Sequence, residues 1–172
     1  MEIRKTKLIL DKRHRSVLKD EFCRTYDAVT SITDPESVVM LMDDVFNISE
    51  QADEYVYIIC MTRKCKPICF FEVSHGSQTK AAVEASSILT RVLLSGATDY
   101  IMIHNHPSGD PYPSKDDVYL TERIRRASEL VGVNMTDHIV IGRDGYFSFN
   151  ETNRILDTLG KRKKTNKKKV AE

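Results

Sequence analysis

No apolar stretch of this 172-residue sequence approaches the roughly 20 residues that a membrane-spanning helix requires. The first 15 residues are basic, and their apolar part is too short and too interrupted by charge for a signal peptide. The first absence argues against a membrane-spanning helix, and the second argues against export through a signal peptide. We therefore expect a cytoplasmic protein that makes no membrane contact.

Cysteine is also scarce, with four residues in the chain. Cys23 stands alone, and Cys60, Cys65 and Cys69 lie close together in an apolar, strand-like region. The sequence has no C-x-x-C pair, which makes a cysteine-based zinc site a poor interpretation. Without an export signal, a disulfide framework is not expected either. Reduced thiols, buried or half-buried, remain the simplest interpretation.

The small net charge of +1 conceals a strong asymmetry. Residues 161–172 contain seven Lys or Arg and one Glu, a net charge of +6. The first 24 residues contain eight basic and four acidic side chains, so residues 25–160 carry a net charge of −9. An acidic central region argues against a nucleic-acid-binding face there. Residues 153–172, which include the low-complexity run KRKKTNKKK at 161–169, are expected to form a basic, disordered C-terminal tail capable of weak, non-specific nucleic-acid binding.

Hydrophobic periodicity divides the chain before that tail into an N-terminal arm, residues 1–29, and one domain, residues 30–152. The arm shows no clean pattern and predicts a short strand or packed arm at best. The predicted elements of the domain are, in order, a helix after Asp34 and Pro35, a hairpin over 54–73, a helix over 80–94, a buried strand over 99–104, a helix over 115–131 and a hairpin around 143–145. This order predicts an α/β fold with a mixed β-sheet flanked by helices.

The residues with the clearest chemical signal follow the predicted buried strand. His104 and His106 are two positions apart, so their side chains project to the same side of an extended segment. Asp117 lies one turn into the next helix if Ser114 caps it. Two nitrogen ligands and one oxygen ligand leave a fourth position open, which is typical of catalytic zinc. Ser114 and Asp117 are also spaced as an ordinary capping box, an interpretation compatible with metal binding.

The segment HNHPSGDPYPSKDD, residues 104–117, resembles the signature of the JAMM (MPN-plus) metalloproteases, which is H-x-H, seven residues, then S-x-x-D. Together with DHIVIG and YFSF downstream, it resembles the bacterial RadC-like JAB branch of that superfamily. The resemblance implies a JAB/MPN fold, which is cytidine-deaminase-like. It also implies one Zn²⁺ per chain, held by His104, His106 and Asp117, and hydrolysis of a peptide or isopeptide bond in a peptide or protein substrate.

The same resemblance implies a glutamate that acts as general base on the zinc-bound water. Glu54, Glu72 and Glu84 are the candidates, and Glu54 is favoured because it opens a core strand, as in the family. The Ser114 hydroxyl is expected to stabilise the oxyanion. His138 is interpreted as structural, hydrogen-bonded in the sheet near the site.

A second hypothesis is a DNA-repair or nucleic-acid-associated accessory protein, in which the JAB domain is a scaffold and the basic ends bind DNA or RNA. No aromatic residues interleave with the basic tail for base stacking. The sequence leaves the substrate and the oligomeric state open.

Overall fold

Seven strands form one mixed sheet in the computed structural model, which describes residues 1–28, 31–76 and 83–151. The elements are β1 (Glu2–Leu10), β2 (Ser16–Thr25), α1 (Pro35–Phe46), β3 (Tyr55–Met61), β4 (Pro67–His75), α2 (Ala85–Leu94), β5 (Asp99–Asn105), α3 (Lys115–Leu130), β6 (Asn134–Gly142) and β7 (Gly145–Ser148). Across the sheet the strand order is β2-β1-β4-β3-β5-β6-β7. The pairs β1/β4 and β5/β6 are parallel, and the other neighbours are antiparallel. The predicted mixed sheet with flanking helices is confirmed.

The helices cover both faces of this sheet. Alternation along β3 sends Ile58 to one face, where it packs in a cluster with Ile88 of α2 and Ile124 of α3. Its neighbour Ile59 points to the opposite face and packs in a cluster with Leu41 of α1. The central strands are therefore buried on both sides, as the continuous apolar run of β5 predicted.

Helix starts follow their capping chemistry. Asp34 caps α1 by accepting a 2.8 Å hydrogen bond from the Ser37 amide, and Pro35 occupies the first helical position, as predicted. The helix predicted to begin at Lys80 instead begins at Ala85, with Glu84 in extended conformation before it. Residues 80–82 of that prediction lie outside the described residues. Val83 and Glu84 are described, and they precede the helix.

The N-terminal segment forms much more regular structure than the sequence predicted. In place of a short strand or packed arm, β1 and β2 make an antiparallel hairpin that joins the main sheet beside β4. Ile3 is fully buried in the cluster beneath α1. The pattern was hidden because β2 is an edge strand with polar residues on both faces, so the two-residue period is missing.

The middle of the sheet sets the position of the functional residues. β5 pairs with β3 so that His104 lies opposite Val56, and it pairs with β6 so that Met102 lies opposite His138.

Within the described part of the chain, no helix is long and apolar enough to cross a membrane. The predicted boundary between the domain and the basic tail, at 152–153, lies outside the described residues.

Candidate metal centre

The end of β5 brings the three predicted ligands together. The Nε2 atoms of His104 and His106 lie 3.0 Å apart. Asp117 reaches this pair from the first turn of α3, with Oδ1 3.6 Å from His104 Nε2 and Oδ2 3.5 Å from His106 Nε2. His104 is buried, whereas His106 and Asp117 are partly exposed. These two imidazoles and one carboxylate form a group that could hold a metal ion.

The start of α3 fixes the direction of the aspartate. The Ser114 amide donates to Asp117 Oδ2 at 2.7 Å, and the Asp117 amide donates to Ser114 Oγ at 3.2 Å. This reciprocal pair is a capping box. The capping interpretation and the ligand interpretation therefore apply to the same side chain, because the cap orients the carboxylate that faces the histidines.

A hydrogen-bond relay behind His104 determines which of its nitrogens carries the proton. Thr121 Oγ1 lies 2.5 Å from the Asp117 carbonyl oxygen, which can only accept, so the single hydroxyl proton of Thr121 is used there. Thr121 Oγ1 must then accept from His138 Nδ1, 2.6 Å away. His138 Nε2 is left as the acceptor for His104 Nδ1 at 2.7 Å. The relay therefore leaves a lone pair on His104 Nε2, which faces His106 and Asp117.

His106 reaches the same state by a shorter route. Its Nδ1 lies 2.8 Å from the carbonyl oxygen of Asp110, so it must donate, and Nε2 keeps a lone pair. Two nitrogen lone pairs and a carboxylate then converge on one point. A cation between them would stabilise this arrangement, in which imidazole ligands are oriented by hydrogen bonds from their second nitrogen.

For the two buried rings, His104 and His138, the electrostatics agree with that assignment. Burial lowers the pKa of His104 to about 4 and holds the pKa of His138 well below its ordinary value, so both rings are neutral. The Asp117 carboxylate raises the pKa of His106, with a smaller contribution from the negative charge of Glu54. Burial opposes ionisation of Asp117, but His106, His104 and Ser114 together keep its pKa well below the usual range.

The three residues open onto a cavity of about 550 Å³. Its walls combine the candidate ligands with further carboxylates and apolar side chains. Among the residues that line it are Glu54, Val56, Val83, Glu84, Met102, Ser114, Leu120 and Arg123. A cavity with apolar walls and a few converging polar groups is typical of a ligand-binding site.

The RadC-like JAB domain family matches residues 32–154, which includes every element from α1 to β7. The chain belongs to this family. Its candidate ligands lie within the matched segment, whereas the β1–β2 hairpin lies before it. The family match confirms the resemblance that the HNHPSGD motif indicated.

Similar proteins carry the name UPF0758 protein. The one from Coprothermobacter proteolyticus is 39% identical over 119 residues, covering 68% of this chain and 51% of that protein. A Thermotoga maritima relative is 38% identical over 98 residues, covering 57% and 44%. One from Methanosarcina barkeri is 32% identical over 127 residues, covering 71% and 56%. The chain thus spans about half the length of the curated relatives it matches.

The three candidate glutamates occupy different places. Glu54 is half-buried just before β3 and lines the cavity with the histidines. Glu84 lines the same cavity but is exposed and pairs with Arg123 at 3.3 Å. Glu72 lies on β4, where it accepts from the Lys5 ammonium at 3.2 Å and from the Tyr57 hydroxyl at 3.4 Å. Glu54 and Glu84 are therefore the candidates that the cavity brings near the histidines.

Sequence reasoning missed two contributors to this site. Thr121 received no role, although it follows Asp117 by one helical turn and so shares its face of α3. Asn105 received no role in the site either, whereas its side chain contacts the backbone around Glu54. His138 was expected to form a structural hydrogen bond, and it forms one directly to His104.

Proposed function

We propose that this chain is a zinc-dependent hydrolase that cleaves an amide bond, of the peptide or isopeptide type, in a peptide or protein substrate. The observation that carries the proposal is the convergence of two imidazole lone pairs and one carboxylate at the mouth of a cavity that also contains Glu54. Family membership supports it, since the residues occupy the positions of the JAMM signature.

The donor set fits zinc. Tetrahedral zinc with bonds of about 2.0–2.2 Å to nitrogen and oxygen places its ligand atoms about 3.3 Å apart. The two Nε2 atoms are 3.0 Å apart, and the Asp117 carboxylate lies 3.6 Å from His104 Nε2 through Oδ1 and 3.5 Å from His106 Nε2 through Oδ2. When bound, zinc would lower the pKa of a water in the open position and polarise the substrate carbonyl.

The protein side chains would supply the proton transfers. The Glu54 carboxylate would accept a proton from the attacking water and deliver it to the leaving amine nitrogen. Ser114 Oγ accepts from the Asp117 amide through its oxygen, so its hydroxyl proton remains available to the substrate oxyanion. The apolar walls formed by Val56, Val83 and Met102 would exclude water from the scissile bond.

Metal analysis and a cleavage screen test the proposal together. Purified protein should bind about one zinc per chain, His104→Ala should abolish binding, and His14→Asn, at an exposed turn position, should retain it. On peptide and isopeptide libraries, Glu54→Gln should lower kcat by about 10²–10⁴-fold, the usual contribution of general acid–base catalysis. Glu84→Gln is the matched control, because Glu84 lines the same cavity. Protein that binds no zinc, or equal cleavage by wild type and Glu54→Gln, would contradict the proposal.

The charge of the C-terminal tail favours a second candidate function. Seven basic residues in 161–172 contrast with the acidic central region, a distribution suited to sequence-independent phosphate contacts. In that case the protein would act as a nucleic-acid-associated accessory factor, with the JAB domain as a scaffold beside the bound strand.

A further inference from the structure

Asn105 stands between the two histidines and is only 1% exposed. Because side chains alternate along β5, Asn105 points away from the histidine side of the strand. It is also the last residue of β5. A fully buried amide must find partners for both its oxygen and its nitrogen, and these partners identify its role.

Three backbone groups bond to the Asn105 amide: the Gln51 carbonyl oxygen lies 3.5 Å from Nδ2, and the two closer groups lie on either side of Glu54. Asn105 Oδ1 accepts a 2.7 Å hydrogen bond from the Tyr55 amide. Asn105 Nδ2 donates to the Asp53 carbonyl oxygen at 3.0 Å. The backbone pairing of β3 with β5 ends at Val56 opposite His104, so the side-chain amide continues the ladder for one more step.

A further contact holds Glu54 from the other side. The Gly76 amide, just after β4, donates to the Glu54 carbonyl oxygen at 2.9 Å. The backbone of Glu54 is thus tied to the strand that carries His104 and to the end of β4. Because these contacts fix the backbone, the carboxylate, which lines the cavity, changes its position only through rotation about the side-chain bonds.

We propose that Asn105 is a positioning residue for Glu54, which fixes the distance between the general base and the metal ligands. This inference rests on the proposed function for its catalytic consequence. The residue type matters because one planar amide both accepts and donates, whereas a serine hydroxyl cannot span the two backbone groups and a carboxylate can only accept. The strand β5 thus carries both His104, a candidate metal ligand, and Asn105, which holds the segment around Glu54.

The test uses the full chain and the variants Asn105→Ala and Asn105→Ser, the second being the smaller disturbance. Each should leave zinc stoichiometry unchanged, accelerate hydrogen exchange of the Tyr55 amide by about tenfold or more, and lower kcat by about 10–100-fold with little change in KM. Asn134→Ala is the control, since Asn134 bonds to Asp99 at the other end of the parallel strands. It should change neither Tyr55 exchange nor kcat.

A double-mutant cycle separates positioning of Glu54 from a general structural effect. In the Glu54→Gln background, Asn105→Ser should cause no further loss of kcat, because the group it positions is already inactive. Additive losses, or unchanged Tyr55 exchange in both Asn105 variants, would overturn the proposal. If the wild type cleaves no amide substrate, the proposed function fails, and the exchange measurement alone then decides whether Asn105 holds this segment.

Discussion

Thr121 Oγ1 lies 2.6 Å from His138 Nδ1, although the two residues are 17 positions apart in the chain. This contact links α3, which carries Asp117, to the relay that orients His104. The Thr121 hydroxyl also donates to the Asp117 carbonyl oxygen. It must therefore accept from His138, and this determines which nitrogen donates in each hydrogen bond of the relay. A side chain that contacts no ligand atom therefore sets which nitrogen of His104 can bind a metal.

Replacement of this hydroxyl should weaken metal binding. Thr121→Val leaves the buried Nδ1–H of His138 without an acceptor, so we expect zinc affinity to fall by about 10–100-fold. The same loss should lower the free energy of unfolding by about 1–3 kcal/mol. Competition with a chromophoric chelator and thermal unfolding of the metal-free protein measure the two effects.

Two controls accompany this variant. Thr121→Ser keeps the hydroxyl and should retain most of the zinc affinity. Thr25→Val makes the same substitution at an exposed position of the edge strand β2 and should change neither quantity. Equal zinc affinity of Thr121→Val and wild type would show that the relay does not tune the site.

The candidate ligands could be predicted because local geometry brings them together. His104 and His106 share a side of one extended segment, and Asp117 lies only three positions after Ser114, which caps the helix. The relay could not be predicted in the same way. His138 reaches His104 only because β6 pairs in parallel with β5, with Met102 opposite His138, and no local pattern specifies that register.

The N-terminal hairpin is the part of the fold that the sequence pattern did not predict. Its strands are regular, but β2 has only its β1 side paired among the described residues, and most of its side chains are exposed. The apolar alternation that identifies a strand requires one buried face, and β2 has almost none. The fold of the central strands was predictable because burial imposes a pattern, which an exposed edge strand lacks.

Ser114 offers a test that separates capping from catalysis. Ser114→Ala removes the cap of α3 and should lower the free energy of unfolding by about 0.5–2 kcal/mol. Asp34→Ala removes the equivalent cap of α1, far from the histidines in sequence, and should cost a similar amount. Only Ser114→Ala should also lower kcat, by about 10²–10³-fold, if its hydroxyl binds the oxyanion. Equal kcat for the two variants, measured on the same amide substrate, would assign Ser114 to capping alone.

Removal of residues 161–172 tests the accessory-factor candidate. With seven phosphate contacts, affinity for duplex DNA should fall by about 10³-fold or more between 50 and 200 mM salt, and the truncated chain should lose this salt-dependent retention. A chain with the tail sequence scrambled should bind as well as wild type, since the contacts depend on charge. Amide hydrolysis should be unaffected. Retention that survives truncation would place the contacts elsewhere.

Ile3 provides the measurement that distinguishes an integral hairpin from a loosely attached arm. Its side chain is fully buried in the cluster beneath α1, so Ile3→Ala should lower the free energy of unfolding by about 2–5 kcal/mol. Leu10, at the end of the same strand, is 62% exposed, and Leu10→Ala should cost less than about 0.5 kcal/mol. Denaturant titration followed by far-UV circular dichroism measures both. A small and equal effect of the two substitutions would mean that the hairpin contributes little to the core, whereas the expected difference makes residues before the matched family segment part of one cooperative fold.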